Sequence, residues 1–520
     1  MKKTFALFLA LAMLLAMIPA AQAEVDWKNP PAAYYLTPED FPNTDLSQHY
    51  EIQMFSSNAA SEKEDETMAE LNRILEERGF NTSVRLIHVL VTGASNMYAM
   101  TLSSGEVADV YFTAPWREMW TQAAKESWMV LEPEWIEKYM PITWKTQHPE
   151  SWSETTYKGD IIAVPGNYCV SNQKFVVVRQ DLMEKYGFET LENWEDYKKF
   201  LLTIAEKETP ESGIFGYNTC YSNASQEMWK MYWQQFNWYP IYNEQWFFPC
   251  KGGDVLPDFK EDVKLFYETD EFRDYAHQMV ELRKAGVWSQ SALASDVSAS
   301  TNLEQGISAS SVHNATLYYN AKKAAENNPG TTYGFYEIFP DAFFIPECYA
   351  NNNLAIPYSS ANPERAAMLI DLMKNDFQIG NLCRLGVEGI DWVDNGDNTY
   401  TTLGTSADLG SIGWALKVDW DYTEKPTGEF ESLRKEYLDR SYKKLVNNPC
   451  VSFVFDTEPV KAELAAVQAL LQEYTPVLML GFRDDVDECI DELMKKCYDS
   501  GLQKLYDEME KQYEEWKATR

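Results

Sequence analysis

The sequence predicts an α/β chain of two lobes, the first of them built from βαβ units around a largely parallel sheet. Strand-like and helix-like segments alternate from Tyr50 onward at the pitch of such units. The length of 520 residues is long for one domain and suits two lobes of roughly 100–200 residues each. Composition agrees: 45% hydrophobic and 24% charged residues are enough apolar material for two packed cores.

Tyr50 to Phe55 reads as the first strand, and the polar turn Ser56-Ser57-Asn58 follows it. Met68, Leu71, Ile74 and Leu75 recur at helical spacing and Gly79 closes that helix. Ser83 to Val91 is the second strand, and a further helix ends at Ser103-Ser104-Gly105. Asp109 opens the third strand, Val110-Tyr111-Phe112. In parallel sheets ligands sit beyond the carboxyl ends of the strands, which places Ser57, Asn58 and Trp116 at a cleft edge. Tyr157 to Pro165 reads as a small hairpin and Phe175 to Arg179 as an extended segment. Asp181 and Asn193 then stand at helix N-caps. Trp229, Tyr232, Trp233 and Phe236 fall at helical spacing inside an aromatic-dense stretch that runs to Phe248. Part of this stretch is a buried face, and Trp233 is the residue of it assigned to the ligand side. Near the end, Val486, Ile490, Leu493, Leu502, Leu505 and Met509 form the apolar stripe of a charged helix pair expected to pack on the second lobe.

Residues 1–23 have the form of a signal peptide: Lys2 and Lys3, an apolar run from Phe5 to Ile18, then Ala21-Gln22-Ala23 as the cleavage site. Export, with cleavage near Ala23, is therefore expected, to a periplasm or the outer face of the cell membrane. No cysteine follows the apolar run, so no lipid-attachment site is expected. A net charge of −35 repels phosphate backbones and anionic lipid, which argues against nucleic acid and membrane surfaces as partners. Eight dispersed cysteines (169, 220, 250, 348, 383, 450, 489 and 497) permit disulfides outside the cell without specifying their pairing. The five histidines form no HExxH and lie near no cysteine pair, so neither metal nor cofactor is expected.

Several motifs together resemble the family 1 extracellular solute-binding proteins of ABC importers. They are Ser104-Gly105-Glu106-Val107-Ala108-Asp109-Val110-Tyr111-Phe112, Lys158-Gly159-Asp160-Ile161-Ile162-Ala163-Val164-Pro165, Val177-Val178-Arg179-Gln180-Asp181-Leu182 and Asn193-Trp194-Glu195-Asp196-Tyr197. In the C-terminal half, Gly386-Val387-Glu388-Gly389-Ile390-Asp391-Trp392, the segment from Phe455 to Tyr474, and Glu510-Lys511-Gln512 with Trp516 are similar to a long carbohydrate-importer branch. That branch carries a conserved C-terminal domain of unassigned role. The chain departs from Gram-positive members in having Ala-Gln-Ala where they usually have a lipobox cysteine.

The resemblance implies a periplasmic-binding-protein-like clamp: two α/β lobes joined by crossing hinge strands, with added C-terminal helices. It implies a leader at 24–46, a first lobe of 47–165 with 306–355, and a second of 166–305 with 356–520. Crossings fall near Pro165–Cys169, Ser308–Asn314 and Ala350–Ile356. It implies a monomer that captures an oligosaccharide by hinge closure and passes it to the transmembrane subunits of a permease. A sugar offers C–H faces for aromatic stacking and hydroxyls for amides and carboxylates. By that chemistry and by position beyond the strands, Ser57, Asn58 and Trp116 are ligand residues, with Trp233 from the aromatic stretch. The resemblance implies in addition Asn167 and Tyr168 at the first crossing, Asn314 with Tyr318 behind it in a family-like turn, and Trp414 in the segment where the family places a stacking residue.

Two other functions fit the same chain less well. A clamp for a peptide or another small solute is compatible with the acidic, aromatic-rich composition. A glycoside hydrolase needs two carboxylates roughly 5–10 Å apart across a cleft, and no spacing singles out such a pair. There is no G-x-S-x-G elbow, P-loop or dinucleotide glycine pattern, so catalysis is not expected.

Overall fold

The computed structural model describes residues 35–88, 100–102, 104, 108–167, 173–220, 226–242, 244–250, 255–344, 349–396, 399–403, 407–416, 423–424, 428–442 and 444–518. The expected signal peptide, Tyr168, Cys169 and Cys348 lie outside the described residues. Two compact units emerge. The first is Met1–Leu90, Glu134–Thr146 and Asn362–Glu424; the second is Val91–Pro133, Gln147–Ala361 and Lys425–Arg520.

The first unit opens on the expected βαβ arrangement. Strand Tyr50–Ser56 runs parallel to Thr82–His88, in the register Tyr50 opposite Thr82 and Ser56 opposite His88. Helix Glu64–Glu77 joins them and buries Leu71, Ile74 and Leu75, and Gly79 turns the chain back at φ +79°. Helix Pro363–Asn375 is buried nearly all round, so each of its polar side chains needs a partner. Arg365 finds carbonyls: its guanidinium donates to Asn81 O at 2.9 Å, to Asp45 O, to Gln48 O at 3.3 Å, and to the Thr82 hydroxyl at 2.9 Å. Asp371 accepts from the N–H groups of Ile142 at 3.0 Å and Thr143 at 2.6 Å, from the Thr143 hydroxyl at 2.6 Å, and from Asn375 at 2.8 Å.

The strand ladders of the second unit are antiparallel. Asn353–Ala355 lies between Val110–Thr113 and Val164–Pro165, antiparallel to both. Phe175–Arg179 is likewise central to Ser310–His313 and Tyr333–Tyr336. The parallel pairing expected for the βαβ units holds for Tyr50–Ser56 with Thr82–His88, while here strands returning from late in the sequence enter against the earlier ones. Ser310–His313, expected with residues 47–165, is paired with Phe175–Arg179 instead.

The period-2 alternation of Phe175–Arg179 divides it between two cores. Val176 and Val178 enter the large core, while Phe175 and Val177 enter a smaller one with Leu317, Tyr318, Ala321 and Tyr437. Both faces are covered, so the strand reads as a continuous apolar run. The large core takes Trp229, Tyr232, Phe266, Phe272 and Tyr275 on one side. On the other it takes Val467, Leu471, Ile490, Leu493, Leu505 and Met509 from helices Lys461–Met479, Val486–Asp499 and Leu502–Lys517. The terminal helix pair thus packs through its expected stripe. Asn193 caps helix Trp194–Lys207 by accepting from Asp196 N–H at 3.1 Å. Asp181 does not cap: its helix begins at Gln180, and the carboxylate instead forks onto Arg179 at 2.6–2.7 Å. A guanidinium two residues away is a stronger partner than a backbone N–H.

Candidate functional site

In the second unit, three strand ends deliver polar and aromatic groups to one loop. Trp116 follows strand Val110–Thr113 and is 48% exposed. Its indole N–H donates to Asn351 O at 2.8 Å, and its ring leans on Phe112 with centroids 5.6 Å apart. The indole is thereby fixed in orientation while one face stays open. The loop 349–353 holds the second edge: Tyr349 lies beside His148 with ring centroids 5.1 Å apart. Asn352 O accepts from Gly166 N–H at 3.1 Å, and Gly166 O accepts from the Gln147 amide at 2.8 Å. A β-carbon at Gly166 would sit 3.3 Å from Tyr349 O, so the small residue lets these two segments close on each other.

Of the residues expected in the site, this locale brings together Trp116 and Asn167. Asn167 is buried, however, and its side-chain oxygen accepts from His148 N–H at 2.9 Å. It supports the turn that carries His148. Asn353 is likewise buried and donates to Ala350 O at 2.6 Å, while Asn351 and Asn352 are half-buried. Tyr349 and His148, partly exposed on this rim, were missed by sequence reasoning. Neither stands in a motif, and their neighbourhood exists only through the pairing of Asn353–Ala355 with Val164–Pro165.

In the first unit, Ser57, Asn58 and Trp414 converge. The Asn58 side-chain oxygen accepts from Ser56 Oγ at 2.7 Å and from Ser411 N–H at 2.8 Å, and Ser57 N–H donates to Ser411 Oγ at 2.9 Å. Asn58 therefore anchors the first turn of the short helix Ser411–Ala415, where Trp414 stands 41% exposed. Gly410 makes this possible: its φ is +55°, and a β-carbon there would collide with the Asn58 amide. Ser57 is buried with its hydroxyl unpartnered, so it shapes the turn and presents nothing to solvent. Asn58 and Ser57 support; Trp414 is the exposed member.

The other three expected residues belong to the packing of the second unit. Trp233 meets Phe247 edge-on with centroids 3.9 Å apart, at the margin of the large core. Tyr318 is buried and stacked on Phe335 at 4.2 Å, and burial raises its phenol above the usual range. Asn314 accepts from Thr316 N–H at 3.1 Å and holds the turn before helix Leu317–Asn327. Aromatic and amide residues serve cores and turns as readily as sugar clefts, so composition alone could not separate these roles.

Beside Asn314 lies a charge cluster that no sequence pattern announced. The buried carboxylate of Glu227 lies 2.9 Å from Lys174 Nζ and 3.2 Å from Lys230 Nζ, with His313 Nε2 at 4.0 Å. Burial would raise the Glu227 carboxyl, but Lys174 and Lys230 outweigh it and hold it at about 2. Burial, and then Lys174, keep His313 below the ordinary imidazole range. Glu244, 2.8 Å from Lys230 Nζ, supplies the second carboxylate that balances the two lysines. Among the described residues no group of three or more His, Cys, Asp or Glu is arranged to hold a metal ion. The six cysteines among the described residues are all buried.

What the geometry offers is an open indole face with further aromatic edges on its rim, carried by turns that buried amides hold in place. A family model described as a domain of unknown function (DUF3502) matches residues 449–518. A carbohydrate ABC transporter substrate-binding protein of Streptococcus pneumoniae serotype 4 (strain ATCC BAA-334 / TIGR4) is 22% identical over 493 residues, covering 89% of this chain and 90% of the relative. Among solved structures, the N-glycan transport solute-binding protein NgtS of Streptococcus pneumoniae has a TM-score of 0.70 at 21% identity, covering 89% of this chain and 98% of that one. The same protein in complex with Man5GlcNAc gives 0.66 at 22% identity, covering 90% and 99%. The fold of this chain is that of the two-lobed solute-binding proteins.

Proposed function

We propose that this chain is the exported substrate-binding subunit of an ABC importer, and that its ligand is an oligosaccharide of the N-glycan type. The observation that carries the reading is the half-open indole of Trp116, fixed on the loop 349–353 that also carries Tyr349, in a fold shared with NgtS, which has been solved with Man1GlcNAc and with Man5GlcNAc. Sugar C–H faces stack on such a ring, and sugar hydroxyls suit the phenol and imidazole edges of Tyr349 and His148.

Export is part of the same reading. No helix among the described residues is long and apolar enough to cross a membrane, and the expected signal peptide supplies the route out. The chain acts as a monomer, binds its ligand without turnover and hands it to the transmembrane subunits of a permease.

The test is a thermal-shift screen of residues 24–520 against Man5GlcNAc, milk-type oligosaccharides, free sugars and peptides, with product analysis of each hit. A ligand at 100 times its Kd adds about 2.7 kcal/mol of stability, a readily measured rise in Tm. Stabilisation by an oligosaccharide recovered intact is the expected result. A response to peptides alone would overturn the carbohydrate assignment, and hydrolysis of the glycan would overturn the binding-protein reading.

A further inference from the structure

The region 449–518 does more than cover the large core. Its entry segment carries Asp456, whose backbone is gripped from the last helix: Asp456 N–H donates to the Gln512 side-chain oxygen at 2.8 Å, and the Gln512 amide donates to Asp456 O at 2.9 Å. A carboxylate fixed in this way then reaches the hairpin of Thr156–Tyr157 and Asp160–Ile161. Tyr157 OH donates to it at 3.0 Å, and Lys158 Nζ lies 2.8 Å from its other oxygen.

The hairpin turn itself indicates that the contact is specific. Lys158 and Gly159 both have positive φ, at +53° and +94°, as a two-residue turn of this hand requires. Glycine or asparagine fills the first of these places without strain, whereas a lysine there costs about 1 kcal/mol. A strained lysine contributes an ammonium group, and here the ammonium is spent on Asp456. Partial burial pushes the Asp456 carboxyl up, but the Lys158 ammonium, the Glu458 N–H and the Tyr157 hydroxyl outweigh it and hold it below the usual carboxylate range.

Both ends of this hairpin lead directly into the Trp116 rim. On the near side, buried Glu154 accepts from Ala350 N–H at 3.0 Å, in the turn whose Asn351 O holds the Trp116 indole. On the far side, the chain runs through Val164–Pro165 to Gly166, which donates to Asn352 O at 3.1 Å. From these contacts we infer that Asp456 is a positioning residue for the ligand rim, so that the C-terminal region sets the hairpin and, through Glu154, the loop 349–353. This assigns a role to the region 449–518, and its ligand arm rests on the carbohydrate reading above.

The experiment compares the mature chain with Asp456→Ala, with the charge-reversed pair Lys158→Asp plus Asp456→Lys, and with Asp439→Ala. The last removes an exposed ion pair to Lys435 elsewhere and serves as the control. Amide hydrogen exchange without ligand is read on peptides covering 154–166 and 349–353, and Kd for Man5GlcNAc is measured by calorimetry. The expected result for D456A is exchange about tenfold faster in both peptides and a Kd weakened about fivefold. The charge-reversed pair should restore both, and D439A should move neither. Unchanged exchange at 349–353 in D456A would overturn the inference, as would faster exchange with an unchanged Kd. If the wild-type chain does not bind Man5GlcNAc, the carbohydrate reading fails, and the exchange arm alone then decides: acceleration supports the coupling and its absence refutes it.

Discussion

Replacing Trp116 by alanine removes the open ring from the proposed site, and its effect can be worked from the exposure. The side chain is 48% exposed; on a Trp surface of roughly 250 Å², that leaves about 120 Å² facing solvent. A pyranose face covers about half of this, so roughly 60 Å² leaves water on binding. At about 25 cal/mol per Å² the contact contributes about 1.5 kcal/mol, which is roughly tenfold in Kd. The indole also gives one hydrogen bond, to Asn351 O at 2.8 Å. That bond is at the surface, and its loss costs about 1 kcal/mol of stability or less. Calorimetric titration with Man5GlcNAc and chemical denaturation separate the two effects. W116A should bind about tenfold more weakly and unfold nearly as wild type, with W116F intermediate in affinity. A Kd within twofold of wild type would refute the stacking argument. A large stability loss with unchanged affinity would return Trp116 to a purely structural role.

Two stability predictions concern the first unit. Arg365 is buried and bonded almost wholly to carbonyls, so R365M strands several acceptors and should cost about 3 kcal/mol by denaturant melts; a loss under about 1 kcal/mol would show that the carbonyls find other donors. Asp371 is fully buried, and burial pushes its carboxyl up to about 6 against the donors around it. Its folded-state value lies above the unfolded one, so its contribution is complete below the unfolded value and is lost as pH rises through about 6. The stability of wild type relative to D371N should therefore increase by about 1 kcal/mol from pH 7 to pH 5, and a flat difference would sink the assignment.

The sequence by itself determined the elements and most of their faces. The alternation in Tyr50–Ser56, the 3.6-residue pattern ending at Gly79 and the terminal stripe of Val486, Ile490, Leu493, Leu505 and Met509 are local periodicities, and local periodicity survives any tertiary context. The motif order that resembles solute-binding proteins was equally legible, and the fold agrees with it. Tertiary structure decided which aromatic and amide residues are free to meet a ligand. Trp116 and Tyr318 are both aromatic residues beyond a strand, yet one is half open while the other is stacked on Phe335 inside a small core that also holds Tyr437. Asn58 and Asn167 became props for Ser411 and His148, partners 353 and 19 residues away. The clasp of Asp456 on Tyr157 and Lys158 joins residues about 300 apart in the chain. A carboxylate carries no periodic signal, and its role is set by which donors the fold brings within 3 Å of it.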